Sequence, residues 1–551
     1  MLSGGGARGA AHVGVLKALH ELNVPIDLIV GTSMGAVVGG LYAAGLSPEQ
    51  IEATLTTVDW QQAFRDRPAR QDLVFRRKRE DQNFLVRFPL GLSRGRFKLP
   101  RGLIQGQKLT QILRSLTLPV ADVHDFDRFP TAFRAVATDL ETGEQRVLAS
   151  GDLTTAMRAS LAAPGIFTPV EIDGRLLVDG GLSANLPIDV ARAAGAERLI
   201  VVDVGFPLQT RRNLDSVASI SNQMLAILIR RNSEMQRAQL TAADILITPP
   251  LGEASSFDFS NVRRSIEAGL SGARAQSVAL QRFALPPAAY ERWAAARNAP
   301  RGALPPIEFV RISSDSQRYA AALQAAFGDV VGRAPDASEL ATRVTRFYGR
   351  GDLDSLDYRW VRDDGRGGLE LRAGRNPIGP NYVRFGLNLQ DDFEGNSSFN
   401  AAARFVQTEL TARGAEWTWD LQVGEEPNIA TEYYLPIDAS QRYFVMPRAR
   451  FAVRTVPLLD DQRVLAEYRV RTTEFGLDIG REFGNWGELR FGTHWAQGSA
   501  RLQIGAIGLP SPRFDVQQWF ARFSYDRLDD VNFPRYGQSF TADWRAEDAR
   551  I

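Results

Sequence analysis

Hydrophobic and polar positions alternate strictly along the last third of the chain. Val383, Phe385, Leu387 and Leu389 interleave with Arg384, Gly386 and Asn388, and Trp417, Trp419, Leu421 and Val423 with Thr418, Asp420 and Gln422. The period recurs where Ala466, Tyr468 and Val470 alternate with Glu467, Arg469 and Arg471, and again from Leu489 to Trp495. A period of two puts successive side chains on opposite faces of a strand. About ten such segments fall between 381 and 546.

Earlier in the chain the pattern differs. Short continuous apolar runs at 26–30, 131–137, 199–203 and 245–248 are of buried-strand type, and helical stretches separate them. The segments 10–20 and 36–44 are two such helices, the second rich in small residues. This predicts an α/β layered domain. Pro286, Pro287, Pro305 and Pro306 then bracket an alanine-rich linker with one helical patch. Beyond it come a strand at 307–312, helices at 318–327 and 338–348, and strands at 357–362 and 368–373. Asp336 is placed to cap the second of those helices.

Composition sharpens this division. A length of 551 residues suggests about three domains. We expect them at 1–285, 306–375 and 376–551, with 286–305 as linker. Thirteen of the 21 Trp and Tyr residues lie after 375, and all four lysines lie before 109. Aromatic residues on alternating strands with arginine on the other face predict an outer-membrane β-barrel. A net charge of +1 indicates no nucleic-acid partner. The absence of cysteine rules out disulfides and thiolate metal sites. No apolar run is long enough for a transmembrane helix. The basic cluster at 76–79, with Phe84, Phe88 and Phe97 nearby, is open to two readings, contact with anionic lipid head groups or a solvated loop.

Three motifs carry chemistry. Ser33 sits in a G-x-S-x-G pentapeptide between Gly31 and Gly35, after a strand-like run and before a helix. A nucleophile on such a turn needs small neighbours, and the helix N-terminus favours a developing alkoxide. Gly4, Gly5, Gly6, Ala7, Arg8 and Gly9 form a glycine-rich loop whose amides are expected to form an oxyanion hole. Its spacing is not that of a dinucleotide-binding turn. Asp179 follows a strand and precedes Gly180 and Gly181, which allow close approach to another loop. The four histidines, His12, His20, His124 and His494, show no triad pattern, so Asp179 is the expected base. No metal or cofactor is expected.

These motifs resemble the patatin-like phospholipases, whose Ser-Asp dyad replaces a triad. The segments 137–143 and 158–167 also look like signatures of that family. The resemblance implies Ser33 as nucleophile, Asp179 as base, an oxyanion hole at 4–9, and supporting or structural roles for Asp139 and Asn185. The β-α-α-β-β order of 307–373 resembles a POTRA domain, and residues 532–537 resemble a segment of bacterial surface-antigen barrels. The expected fold is multidomain: an α/β patatin-like hydrolase, a small α+β POTRA domain and an incomplete antiparallel transmembrane β-barrel, as in patatin-like autotransporters. The implied partners are phospholipids or other acyl-ester lipids and the bacterial outer membrane, with the hydrolase periplasmic or surface-exposed. A rival reading is a transport or assembly barrel whose N-terminal domain is a lipid-binding or cargo module. The first strand, at 1–3, is short, and surface-antigen barrels close with sixteen strands. Residues are therefore expected to be missing at both ends, with an unclosed barrel as the result. The sequence leaves the oligomeric state open.

Overall fold

The computed structural model describes all residues except 67, 81–89, 94, 99–101, 103, 206, 300–301, 392–396, 461–462, 506–508 and 551. Within the first domain the chain runs through β1 (Leu28–Thr32), the hairpin β2 (Leu90–Ser93) and β3 (Arg96–Lys98), β4 (Ala132–Asp139), β5 (Gln145–Leu148), β6 (Val170–Ile172), β7 (Arg175–Asp179), β8 (Ile200–Val202) and β9 (Ile245–Ile247). Strands β1, β4, β7 and β6 are neighbours in that order; β5 pairs with β4, and β8 with β9. Residues 1–3 join the two parts. Leu2 N–H donates to Val30 O (2.9 Å) and Ser3 N–H to Val202 O (3.1 Å), so three residues serve as a parallel strand between β1 and β8.

Helices α1 (Ala11–Glu21), α2 (Met34–Ala43), α3 (Phe75–Glu80), α4 (Gln107–Thr117) and α5 (Leu153–Ser160) belong to this part of the chain. Helix α2 is buried along its whole length, which its small and apolar residues permit. It packs on β1 and β4, so the serine at its start is held by the core of the domain.

The expected linker folds back onto this domain. Its helix, α6 (Pro287–Arg297), seats Arg297 over the Tyr42 ring at 3.7 Å and donates from that guanidinium to Tyr42 O and Leu46 O. The helical patch expected within 286–305 is this helix, and it packs on the first domain. Proline at the helix start is tolerated there, because no intrahelical N–H is needed.

The second domain has strand β10 (Phe309–Ile312), helices α7 (Ala320–Phe327) and α8 (Ala337–Tyr348), then strands β11 (Leu353–Asp363) and β12 (Arg366–Arg375). The β-α-α-β-β order read from the sequence is present, with α8 capped by Asp336 accepting from Glu339 N–H. Its sheet runs β10-β12-β11, with β10 parallel to β12.

The third part is one antiparallel sheet: β13 (Asn381–Asp391), β14 (Ser397–Gln407), β15 (Glu416–Gly424), β16 (Asn428–Pro436), β17 (Tyr443–Asp460), β18 (Arg463–Phe483), β19 (Gly487–Ile504), β20 (Arg513–Asp526) and β21 (Ser539–Arg550). Among the described residues these are nine strands, against the ten or so expected, and β3 and β21 have one neighbour each. One face is apolar and exposed, with Phe385, Leu387, Trp419, Leu421, Phe491 and Trp519 on it. The other is charged and self-paired, as in Arg404–Asp420 (2.5 Å) and Arg490–Asp478 (3.1 Å).

The basic cluster is neither a lipid contact nor a solvated loop. It forms α3, which lies against the charged face of the third sheet. Arg70 binds Asp526 with both terminal nitrogens (2.5 and 2.6 Å), Arg76 and Arg77 share Glu416, and Lys78 donates to Asn485 O and Asp526 O. The hairpin β2–β3 extends the same sheet by pairing with β13. The apolar partners Phe84 and Phe88 lie outside the described residues, and Phe97 is exposed. Buried cations need paired carboxylates; Glu80 within α3 supplies one to Arg77, and the folded sheet supplies Glu416.

Candidate active site

Ser33 follows β1 and caps α2 with φ +54° and ψ −123°, a backbone conformation that a non-glycine residue rarely holds. The neighbours make it possible. A Cβ on Gly35 would stand 2.3 Å from Leu2 O, so only glycine fits beneath the turn. Ser33 N–H donates to Ser160 Oγ (2.9 Å), and Ser160 in turn donates to Val136 O (2.5 Å). Two elements distant in sequence thereby fix the nucleophile's backbone.

Ser33 Oγ donates to Asp179 Oδ2 at 2.6 Å. Asp179 is the last residue of β7. Its other carboxylate oxygen accepts from Gly181 N–H (2.7 Å), and its carbonyl accepts from Thr138 Oγ (2.9 Å). Gly180 caps the short helix that follows. Burial raises the Asp179 carboxyl to about 6, against the smaller opposing effects of the Ser33 and Gly181 hydrogen bonds. Such a carboxylate is ionised near neutrality and still basic enough to take a proton.

The glycine loop turns as a 3-10 segment, Gly6–Ala10, into α1. Gly6, at φ +56°, lies beside Ser33 at the cavity wall. No backbone hydrogen bond from Gly5 or Gly6 N–H is found among the described residues. The Ala7 amide is placed otherwise than expected. Ala7 N–H is taken by Ser256 O (2.8 Å). The Arg8 side chain clamps the carbonyls of Val204, Gly252 and Ala254 at 2.8 to 2.9 Å, which is a structural role. Gly9 packs on the Met34 side chain, and Gly31 on the backbone of Gly35. A Cβ on Gly4 would sit 2.5 Å from Asn185 Oδ1 and 3.1 Å from Ser33 Cβ, so Asn185 stands directly behind the loop. Asp139 is turned away from the dyad; it accepts from Glu141 N–H and pairs with Arg175 at 3.0 Å.

An apolar cavity of about 350 Å³ opens onto the dyad. Trp60, Phe64, Leu109, Leu113, Phe167 and Phe259 are among its walls, with Trp60 stacked on Phe259 at 4.5 Å. Ser160, Thr138 and this cavity escaped the sequence reading. Ser160 falls inside the 158–167 signature, which was the available signal. The cavity walls come from seven separate stretches of the chain and carry no local pattern.

None of the four histidines lines the cavity. His12 is buried with Nε2 2.8 Å from Ser3 O, and His20 lies 2.7 Å from the Tyr42 hydroxyl. Burial lowers both to about 4, so both rings are neutral near pH 7. Among the described residues no three metal-ligating side chains converge, and no helix is long and apolar enough to cross a membrane.

Comparison with known proteins bears on the first domain. Residues 1–192 match the model of the patatin-like phospholipases. An uncharacterised NTE family protein of Mycobacterium bovis is 34% identical over 203 residues, covering 37% of this chain and 48% of the relative. Patatin-like phospholipase domain-containing protein 7 of Rattus norvegicus is 28% identical over 295 residues, covering 49% of this chain and 20% of the relative. The lysophospholipase NTE1 of Saccharomyces cerevisiae is 26% identical over 314 residues, covering 50% of this chain and 16% of the relative. The chain thus spans about half the length of the first of these relatives, and less of the others. Among solved structures, BamA of Haemophilus ducreyi aligns over 45% of this chain and 49% of its own, with a TM-score of 0.34 and 11% identity. VipD of Legionella pneumophila covers 66% of this chain and 80% of its own, with a TM-score of 0.28 and 15% identity. The segment that holds both Ser33 and Asp179, residues 1–192, is a patatin-like phospholipase domain.

Proposed function

We propose that the first domain is a serine lipid acyl hydrolase, of phospholipase A or lysophospholipase type, working through a Ser33–Asp179 dyad. The observation that carries this reading is the 2.6 Å hydrogen bond between Ser33 Oγ and Asp179 Oδ2 at the mouth of an apolar cavity. Asp179 takes the Ser33 proton as Oγ attacks the acyl carbonyl. The Gly5 and Gly6 amides and the N-terminus of α2 stabilise the oxyanion. Asp179 then passes the proton to the departing alcohol. Water, deprotonated by the same carboxylate, hydrolyses the acyl-enzyme. The acyl chain lies among the apolar walls, where burying methylenes contributes about 0.8 kcal/mol each.

The remaining domains serve as an anchor in this reading. The second domain has the strand and helix order of a POTRA module. The third sheet, with its apolar exposed face and self-paired charged face, is read as outer-membrane barrel strands. This arrangement is that of a patatin-like autotransporter and keeps the hydrolase at a bilayer.

The test is hydrolysis of defined phospholipids by the full chain, with products identified by mass. Ser33→Ala and Asp179→Asn should each lower kcat by roughly 10³-fold or more, and the double variant should be little worse, because the two act as one unit. A folded Ser33→Ala protein with near-normal turnover would sink the assignment.

A further inference from the structure

Helix α4 has two faces with different partners. Leu109, Ile112, Leu113 and Leu116 recur at helical spacing and line the cavity at Ser33. Gln107, Gln111 and Arg114 face the second domain instead. Gln107 Nε2 donates to Leu356 O (2.6 Å) and its Oε1 accepts from Leu356 N–H (3.0 Å), so its amide pairs with the backbone of β11. Thr345 Oγ, on α8, donates to Gln111 Oε1 at 3.3 Å. Arg114 is 2% exposed and binds Asp357 of β11 from two nitrogens, at 3.2 and 2.5 Å. Its remaining nitrogen reaches Asp152, the N-cap of α5. Just past the helix, Leu118 is buried in the core of the second domain.

The consequence is physical. An isolated helix of eleven residues is marginal in water, so its position is set by what it packs against. One side of α4 lines the cavity, with Leu109 and Leu113 at the edge of the first domain's core. The opposite side meets β11 through a buried guanidinium between two carboxylates, an arrangement that fails sharply when one partner is removed.

We propose that the second domain is the outer support of the acyl cavity: through Asp357 and the Leu356 backbone it positions Gln107 and Arg114, and so sets which acyl-chain lengths the cavity accepts. The inference rests on reading the cavity as the acyl site. A short acyl group touches the walls next to Ser33, whereas a long one needs the α4 side as well. Gln107, Arg114 and Asp357 are positioning residues and take no part in the chemistry.

The experiment uses the full chain in detergent, with a butyrate ester and a palmitate ester of the same alcohol. In Asp357→Asn the ratio of palmitate to butyrate kcat/KM should fall about tenfold or more, with butyrate hydrolysis little changed. Asp357→Glu, which keeps the carboxylate, should recover most of the ratio. An unchanged ratio in a folded Asp357→Asn protein overturns the proposal, and so does an equal fall for both esters. Should Asp357→Asn fail to fold, the pair Gln111→Cys/Thr345→Cys decides, as the chain has no other thiol. Oxidised, it should hold the palmitate preference to higher temperature than when reduced, and identical profiles overturn the idea. Hydrolysis that survives Ser33→Ala would instead remove the functional reading beneath it.

Discussion

Ser160→Ala tests how the nucleophile is held. Ser160 is fully buried and makes two hydrogen bonds, accepting from Ser33 N–H at 2.9 Å and donating to Val136 O at 2.5 Å. Alanine removes both and leaves a buried donor and a buried acceptor without partners. Each such loss costs about 1–3 kcal/mol, so the domain should lose roughly 2–6 kcal/mol of stability. Activity should suffer beyond that. Ser33 holds φ +54° and ψ −123°, a conformation with strain of about 1–3 kcal/mol that persists only while its surroundings impose it. Without the Ser160 bond the turn relaxes and Oγ shifts from Asp179; a misplacement of about 1 Å costs about 10²-fold in rate. The assay is kcat/KM for a soluble ester, measured well below the melting transition, beside thermal unfolding of the same sample. Wild-type turnover together with a wild-type melting temperature would refute the reasoning, because then neither bond constrains the turn.

The remaining predictions concern the base, the histidines and the contact with the third sheet. Because burial raises Asp179 to about 6, its carboxylate is lost as pH falls through that value; kcat/KM should therefore decline near pH 6 in a pH-rate profile, and a limb near 4 would contradict it. His12→Gln, His20→Gln and His124→Gln should leave turnover nearly intact in folded protein, since none of the three lines the cavity; loss of turnover in folded His124→Gln would revive a triad. Asp526→Asn removes the carboxylate that Arg70 grips from both nitrogens and should cost about 3–5 kcal/mol at this contact. Hydrogen exchange across α3 is the readout, and unchanged protection there would show that the seat is held by something else.

Local rules sufficed wherever a short stretch carries its own constraint. Gly31, Ser33 and Gly35 announce a strained strand-to-helix turn because no bulkier neighbours fit it, and the structure shows a Cβ on Gly35 colliding with Leu2 O. Alternation over β13–β21 is equally local, since a strand with one apolar face must repeat every second residue. The order of elements in the second domain was readable for the same reason. What tertiary structure decided is who meets whom. Arg76–Arg79 look like a surface charge run, and only the folded sheet, by placing Glu416 and the carbonyls of Asn485 and Asp526 opposite, makes them a buried seat. The cavity needs Trp60, Leu109, Phe167 and Phe259 from segments up to two hundred residues apart, and no periodicity encodes such a meeting. Ala7 likewise sits in a loop whose pattern suggests an oxyanion hole, yet Ser256 arrives from elsewhere and claims its amide. Sequence pattern reports what a residue can do within its own element. Long-range packing, through desolvation and the few partners it brings within hydrogen-bonding distance, determines which of those capacities is used.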